Sequence, residues 1–373
     1  MNSKQRVQAA LQCRFPDRIP YGEYAIDVDV AERILGHETY LRAKAKSKIA
    51  FWEGRRDEVV QSWKEDIVAL YSKLDCIDIV NLASEACGIA PPKDYLPEAP
   101  KRISHDLWED RFGNIYQYSD ITKDITIVQW GQQDIYLHDG PQGKPDDSIF
   151  EVIDYVIEKM GTDKFIIGPA GREAAMFLQG GMECGLMEYY LNPDRVKQFG
   201  EEEVELGNME DHYYIRPGVD GIMWGQDFAY ASGPFISPTM FRRFVVDNCK
   251  ARVQNIKKHF GLPVIKHACG NNWKLMDMFT EIGYDCYQGI QASASMDLEK
   301  LKVEYGDSLC LWGGYNLETL TSGSREELQV EIENAIEIGK RFGGFILGSS
   351  HSVAVGSNYD NFMTVLEYVS KLN

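Results

Sequence analysis

The stretch that decides the fold is LPVIKHACGNNWKLMDMF, residues 262–279. An apolar run closes on His267, Ala268 and Cys269, breaks at Gly270-Asn271-Asn272, and resumes with apolar residues at helical spacing. A strand feeding a helix through a short polar turn is one unit of a parallel α/β fold. Alternate strand residues share a face, so His267 and Cys269 point the same way at the carboxyl end of this run. That placement suits a metal ion, a nucleophile, or a hydrogen-bonded histidine beside a buried thiol.

The same unit recurs on both sides. Apolar runs of strand length stand at RIPYGEYAI (18–26), CIDIVNLA (76–83), FIIGPAG (165–171), GIMWGQD (221–227), DCYQGIQ (285–291), LCLWGGYN (309–316) and GFILGSSHS (344–352). With PVIKHACG they make eight, the number a closed barrel needs. Helical patterns fill the later gaps at 238–260, opening on Ser237-Pro238, and at 272–282, 297–304, 323–342 and 358–371. The expected fold is a (β/α)8 TIM barrel spanning 1–373 as one domain. An open doubly wound sheet is the lesser alternative, because no turn carries a dinucleotide-binding glycine fingerprint. Residues 101–131 break the rhythm: polar and apolar residues alternate around Asp-Arg-Phe-Gly-Asn at 110–114, which predicts a β-hairpin insertion, with room for a third strand.

Composition narrows the function. A formal charge of −18 over 373 residues, with no basic stripe, argues against nucleic acid as a partner. No run approaches the ~20 apolar residues of a membrane helix. The opening MNSKQRVQAALQCRFPDRIP lacks the apolar core of a secretion signal. The eight cysteines are scattered without CxxC pairs, which fits a reducing compartment. The expectation is a cytoplasmic protein.

Barrel enzymes place their chemistry at the carboxyl ends of the strands. Those ends carry Glu23, Arg172, Gln226, Asp227, His267, Cys269, Gln288, Gln291, Trp312, Asn316 and His351. Zinc accepts imidazole, thiolate and carboxylate, and a catalytic zinc site keeps three protein ligands and one open position. His267 and Cys269 supply two, and His351 in GSSHS is the leading third, with Cys310 as its rival. Asp227 or Glu23 would add a ligand or orient a histidine. The plainer possibilities are that His351 caps the turn after the last strand, that Cys310 is simply buried, and that Asp227 pairs with Arg172. A Cys269 nucleophile is disfavoured because strand neighbours two apart point in parallel. No nucleophile elbow, P-loop or paired-carboxylate motif appears.

RVQAALQCRFPDRIPYGEY (6–24), DGIMWGQD (220–227) with SGPFISPTMFRRF (232–244), PVIKHACGN (263–271) and GGFILGSSHS (343–352) together resemble the uroporphyrinogen decarboxylase superfamily over nearly the whole chain. The resemblance implies the (β/α)8 fold and a choice between two branches. Decarboxylases carry an Arg-Gln-Ala-Gly-Arg motif near the first strand. This chain has YGEYAIDVDVAERI (21–34) there, acidic and without arginine before Arg33, which would repel a substrate bearing many carboxylates. The cobalamin-dependent methyltransferase branch is similar in its His-x-Cys motif, which with a later cysteine binds Zn2+. Carried over, the first two ligands are His267 and Cys269, and His351 replaces the third. Exchanging a thiolate for a neutral imidazole makes the ion a stronger Lewis acid, which suits cleavage of a methyl ether. The resemblance therefore implies a corrinoid-dependent O-demethylase component, moving a methyl group from a small methoxylated aromatic donor to the cob(I)amide of a partner corrinoid protein. In that reading Asp227 and Glu23 are catalytic, and Trp224, Gln226, Trp312, Asn316 and Arg172 contact substrate or corrin ring. A methylcobamide:thiol methyltransferase and a metal-free decarboxylase or lyase, which would need Arg172 and Lys266 as cations at the mouth, are the alternatives.

Overall fold

The computed structural model describes residues 1–83, 87–138 and 143–371. Its organising element is a seven-stranded, wholly parallel sheet: β1 (Ile79–Asn81), β2 (Phe165–Gly168), β3 (Gly221–Trp224), β4 (Val264–His267), β5 (Cys286–Gln288), β6 (Cys310–Tyr315) and β7 (Phe345–Ser349), in sequential spatial order. Seven of the eight runs expected as strands are strands. The sheet curls, and side chains alternate across it. Ile265 and His267 face the concave side with Ile167, Met223, Cys286 and Trp312, whereas Val264 packs outward against the helices.

The remaining run, 18–26, is not a strand. It touches the sheet through two isolated bridges, Tyr21 to Leu347 and Ile26 to Val353. Residues 20–22 nevertheless lie between the two edge strands. On one side Gly22 N–H donates to Leu347 O at 3.0 Å and Leu347 N–H to Pro20 O at 2.9 Å, and on the other Asp78 N–H donates to Tyr21 O at 2.7 Å. Pro20 has no N–H to extend a ladder, which keeps the pairing short. The Asp78 carboxylate fixes this segment from below, accepting from Arg6 Nη1 and Arg18 Nη1 at 2.7 Å each and from Tyr21 N–H at 2.9 Å. Through Arg6 it also seats the first helix, Ser3–Leu11, whose Val7, Ala10 and Leu11 close the apolar floor of the concave face.

The helices fall where their signals stand. The 238–260 stretch starts on the Ser237 cap and runs through a π-turn at Arg242–Val246 to Phe260. Helix Arg325–Phe342 opens with a reciprocal capping box between Ser324 and Glu327. Replacing Ser324 by Ala is expected to lower stability by about 1 kcal/mol, measurable as a shift in urea midpoint at unchanged slope. The 101–131 insertion is larger than a hairpin. Strands Lys101–Arg102, Leu107–Glu109, Ile115–Ser119 and Asp124–Gln129 form a separate four-stranded antiparallel sheet, with the Asp-Arg-Phe-Gly-Asn turn joining its second and third members. Two of these strands are too short for alternation to reveal them. Among the described residues, no helix is long and apolar enough to cross a membrane, and all eight cysteines are free thiols.

Candidate metal centre

His267 ends β4, and Cys269 lies two residues on, at the start of the turn into the next helix. The turn is tightly held. Gly270 adopts φ +81°, and a Cβ there would fall 2.3 Å from Ala229 O, so glycine alone fits against the loop after β3. Asn272, fully buried, donates through Nδ2 to Cys269 O at 2.9 Å and Ala268 O at 3.1 Å, and Tyr287 Oη donates to Ala268 O at 2.9 Å. Cys269 N–H donates to Asp227 Oδ1 at 2.7 Å. His351 follows β7 by two residues.

These elements bring His267, Cys269 and His351 together, with one ligand atom from each within 4.8 Å of the others. Cys269 Sγ is 3.4 Å from His267 Nε2. Asp227 Oδ1 is 4.0 Å from the same nitrogen, and its carboxylate is partly exposed. Tyr24 stacks on the His267 ring with centroids 4.2 Å apart, and the His351 ring stands edge-on to it at 5.9 Å. The other imidazole nitrogen, Nδ1, meets Gln288 Oε1.

Burial sets the charge of this cluster. It lowers His267 to about 4, and it lowers His351 too. It pushes the Cys269 thiol up to about 12, with the Asp227 carboxylate adding to the effect. Without a cation the cluster therefore holds two neutral imidazoles and a thiol. Neutral imidazole and a thiol that yields its proton on binding are what Zn2+ requires, so the donor set fits that ion, and binding would release about one proton.

The other expected site residues are placed as follows. Glu23 is fully buried beside the cluster, where its carboxyl accepts from Tyr315 Oη and, at 3.1 Å, from Ser349 N–H. Burial raises it to about 7. Gln226 is engaged by Met176, receiving its N–H at 2.6 Å and donating to its carbonyl at 3.0 Å. A cavity of about 320 Å³ lies against Gln226, lined also by Met176, Phe177, Tyr189 and Phe199.

Four residues stand apart from the cluster, and Cys310 with them. Trp224 faces the helices, donating to Gly171 O at 3.1 Å beneath the Arg252 guanidinium. Trp312 is fully buried on the concave side, its Nε1 donating to Gly22 O at 2.9 Å. Neither ring has a face open to a ligand, because strand alternation turns the first outward and the second, opposite Gln288 in the ladder, is fully buried. Arg172 is drawn outward by Glu203 and Glu210, at 2.6 Å each, and so does not pair with Asp227. Asn316 is tied to Glu331. Cys310 opens β6, at the opposite end from the mouth, opposite Cys286 and fully buried.

Two partners of the cluster, Tyr24 and Gln288, are not marked as such by the sequence. Tyr24 gave no signal beyond following Glu23. Gln288 was legible as a strand-end residue, but only the parallel register that sets it opposite His267 gives it a role.

Residues 146–372 match the family model for uroporphyrinogen decarboxylase. The chain belongs to that family. Among solved structures it is similar to a methyltransferase from Methanosarcina mazei, at 16% identity and TM-score 0.67, covering 100% of this chain and 99% of that one. A Listeria monocytogenes protein described as a vitamin-B12-independent methionine synthase aligns at 12% identity and TM-score 0.35, over 58% of this chain and 66% of its own. No curated protein matches.

Proposed function

We propose that this member of the uroporphyrinogen decarboxylase family is a zinc-dependent methyltransferase that takes a methyl group from a methoxylated aromatic substrate and delivers it to the cob(I)amide of a corrinoid protein. The observation that carries the reading is the convergence of His267, Cys269 and His351 on one point. The similarity to a structure named as a methyltransferase agrees with it. So does the setting at the carboxyl ends of the strands, where the 20–22 segment is read as the eighth stave of a closed barrel.

A Zn2+ held there supplies Lewis acidity toward the ether oxygen. The rest falls to the chain. In demethylation the methyl–oxygen bond breaks, the electron pair stays on the aryl oxygen, and that oxygen finally takes up a proton. Asp227 is the partly exposed carboxylate beside the cluster. With one oxygen holding Cys269 N–H in place, it is the group positioned to orient the donor and relay that proton. Burial lowers both imidazoles below their ordinary value, which favours the neutral form that binds a metal. Tyr230, half-exposed beside the Gly270–Asn271 turn, and Met182, which accepts its hydroxyl, offer an apolar rim for the corrinoid partner. The reading places the reaction in the cytoplasm.

The metal-free lyase alternative loses its cations. Lys266 donates to Glu173 at 2.5 Å, and Arg172 is bound by two glutamates. The test is methyl transfer from a panel of methoxybenzoates and methoxyphenols to free cob(I)alamin, followed by the appearance of the methylcobalamin spectrum with zinc-loaded protein. Transfer that stops on chelation and returns with zinc is the expected result. Transfer only between methylcobalamin and a thiol would replace the donor assignment, and no transfer with any methyl donor would overturn the reading.

A further inference from the structure

We propose that Gln288 is the positioning residue of this centre: it selects the tautomer of His267 and couples that ligand to the strand that delivers His351. The inference rests on the metal-binding reading above and adds a residue to it.

β4 and β5 pair in parallel with His267 opposite Gln288, and Ala268 N–H donates to Gln288 O at 3.2 Å. Both side chains are buried, Gln288 completely. The Gln288 carboxamide spans from His267 to β7. Its Nε2 donates to Ser349 O at 3.1 Å, and its Oε1 faces His267 Nδ1.

The amide can be oriented in only one way. Exchanging its oxygen and nitrogen would set Oε1 against the Ser349 carbonyl, two acceptors with no hydrogen between them. With the NH2 group committed to Ser349, only an oxygen faces Nδ1, and an oxygen accepts. Nδ1 therefore carries the hydrogen, and the lone pair lies on Nε2. That is the nitrogen 3.4 Å from Cys269 Sγ, on the side where the three ligand atoms converge. The opposite tautomer would leave a hydrogen on Nε2 and no ligand there.

Ser349 is itself fixed, its N–H donating to Glu23 Oε2 at 3.1 Å, and it stands two residues before His351, whose N–H lies 3.4 Å from Ser349 Oγ. One side chain thus links the ligand of β4 to the ligand after β7, across the intervening β6. A carboxamide in this place differs from a carboxylate. It accepts the imidazole hydrogen without bringing a charge, so it orients the ligand while lending little extra basicity.

The experiment compares wild type with Gln288→Met, which keeps the volume and removes both polar contacts, and Gln288→Glu, whose protonated carboxyl keeps an acceptor toward Nδ1 and a donor toward Ser349 O. Zinc affinity is read by chelator competition, and ligand geometry from the absorption of the Co2+-loaded proteins. The expected result is a loss of about 10- to 100-fold in zinc affinity for Gln288→Met with an altered cobalt spectrum, and recovery to within a few-fold in Gln288→Glu. Unchanged affinity and spectrum in a folded Gln288→Met would overturn the proposal. Should that variant fail to fold, 15N spectra of histidine-labelled, metal-free wild type decide the matter. His267 with hydrogen on Nδ1 supports the proposal, and hydrogen on Nε2 refutes it. A wild type that binds neither zinc nor cobalt while showing the Nδ1–H tautomer would remove the metal-binding reading itself, and with it the positioning role.

Discussion

Replacing His267 by Ala is expected to weaken zinc binding by at least 100-fold, and replacing His351 by Ala to do nearly the same. A four-ligand protein zinc site is worth about 10–16 kcal/mol, so each ligand carries about 3 kcal/mol, and a site with three protein ligands tolerates the loss of none. The two substitutions differ in what surrounds them. His267 is buried under the Tyr24 ring and bridged to Gln288, so the alanine also leaves Gln288 Oε1 without its donor. His351 is partly exposed and touches Ser352 Oγ at 3.0 Å, so its loss should leave the fold intact. Elemental analysis of the purified proteins, with equilibrium competition against a chelator, measures both. Stoichiometric, tightly held zinc in His351→Ala would move the third ligand to Asp227, the nearest carboxylate. It would not restore Cys310, which lies at the far end of its strand beside Cys286.

The second large effect is one of pH. The Glu23 carboxyl is raised from an ordinary 4.5 to about 7 because burial penalises its charged form more than the Tyr21 and Tyr315 hydroxyls and the Ser349 N–H favour it. The folded protein therefore holds this proton more tightly than the unfolded chain. The resulting stabilisation is complete below about pH 4.5 and vanishes as pH rises through about 7, a change of about 3 kcal/mol from this group alone. In Glu23→Gln that slope should be absent. Urea unfolding at about pH 5 and about pH 8 should show the variant gaining on wild type by most of that ~3 kcal/mol between the two. Parallel stability curves for the two proteins would mean that Glu23 does not titrate in this window.

The fold was legible because most of its strands are buried on both faces. Continuous apolar runs such as FIIG and VIKHAC announce themselves, and each is followed by a turn and a helical stripe. The first expected strand differs for the same reason in reverse. RIPYGEYAI has strand composition, but a proline at residue 20 and a short contact between two edges leave it as bridges. The His267, Cys269 and His351 cluster was readable from spacing and placement, since residues at strand ends of one parallel sheet converge whichever helices separate them.

Its surroundings were not readable. Which way Arg172 turns depends on what lies across from it, here the pair Glu203 and Glu210, and local sequence holds no record of that. Gln288 looks like any strand glutamine until register places it opposite a histidine.

The contact between Gly22 and Leu347 also bears on the order in which the molecule assembles. A chain emerging from the ribosome presents residues 20–22 and β1 well before the strand that seals them. Until then the free edge of β1 and the apolar floor of the concave face stay open to the wrong partners. The final closure joins the most distant segments of the sequence, so it carries a large loop-closure entropy and should set the pace of folding. A nascent chain stalled before Phe345 would then be the species a chaperone must hold.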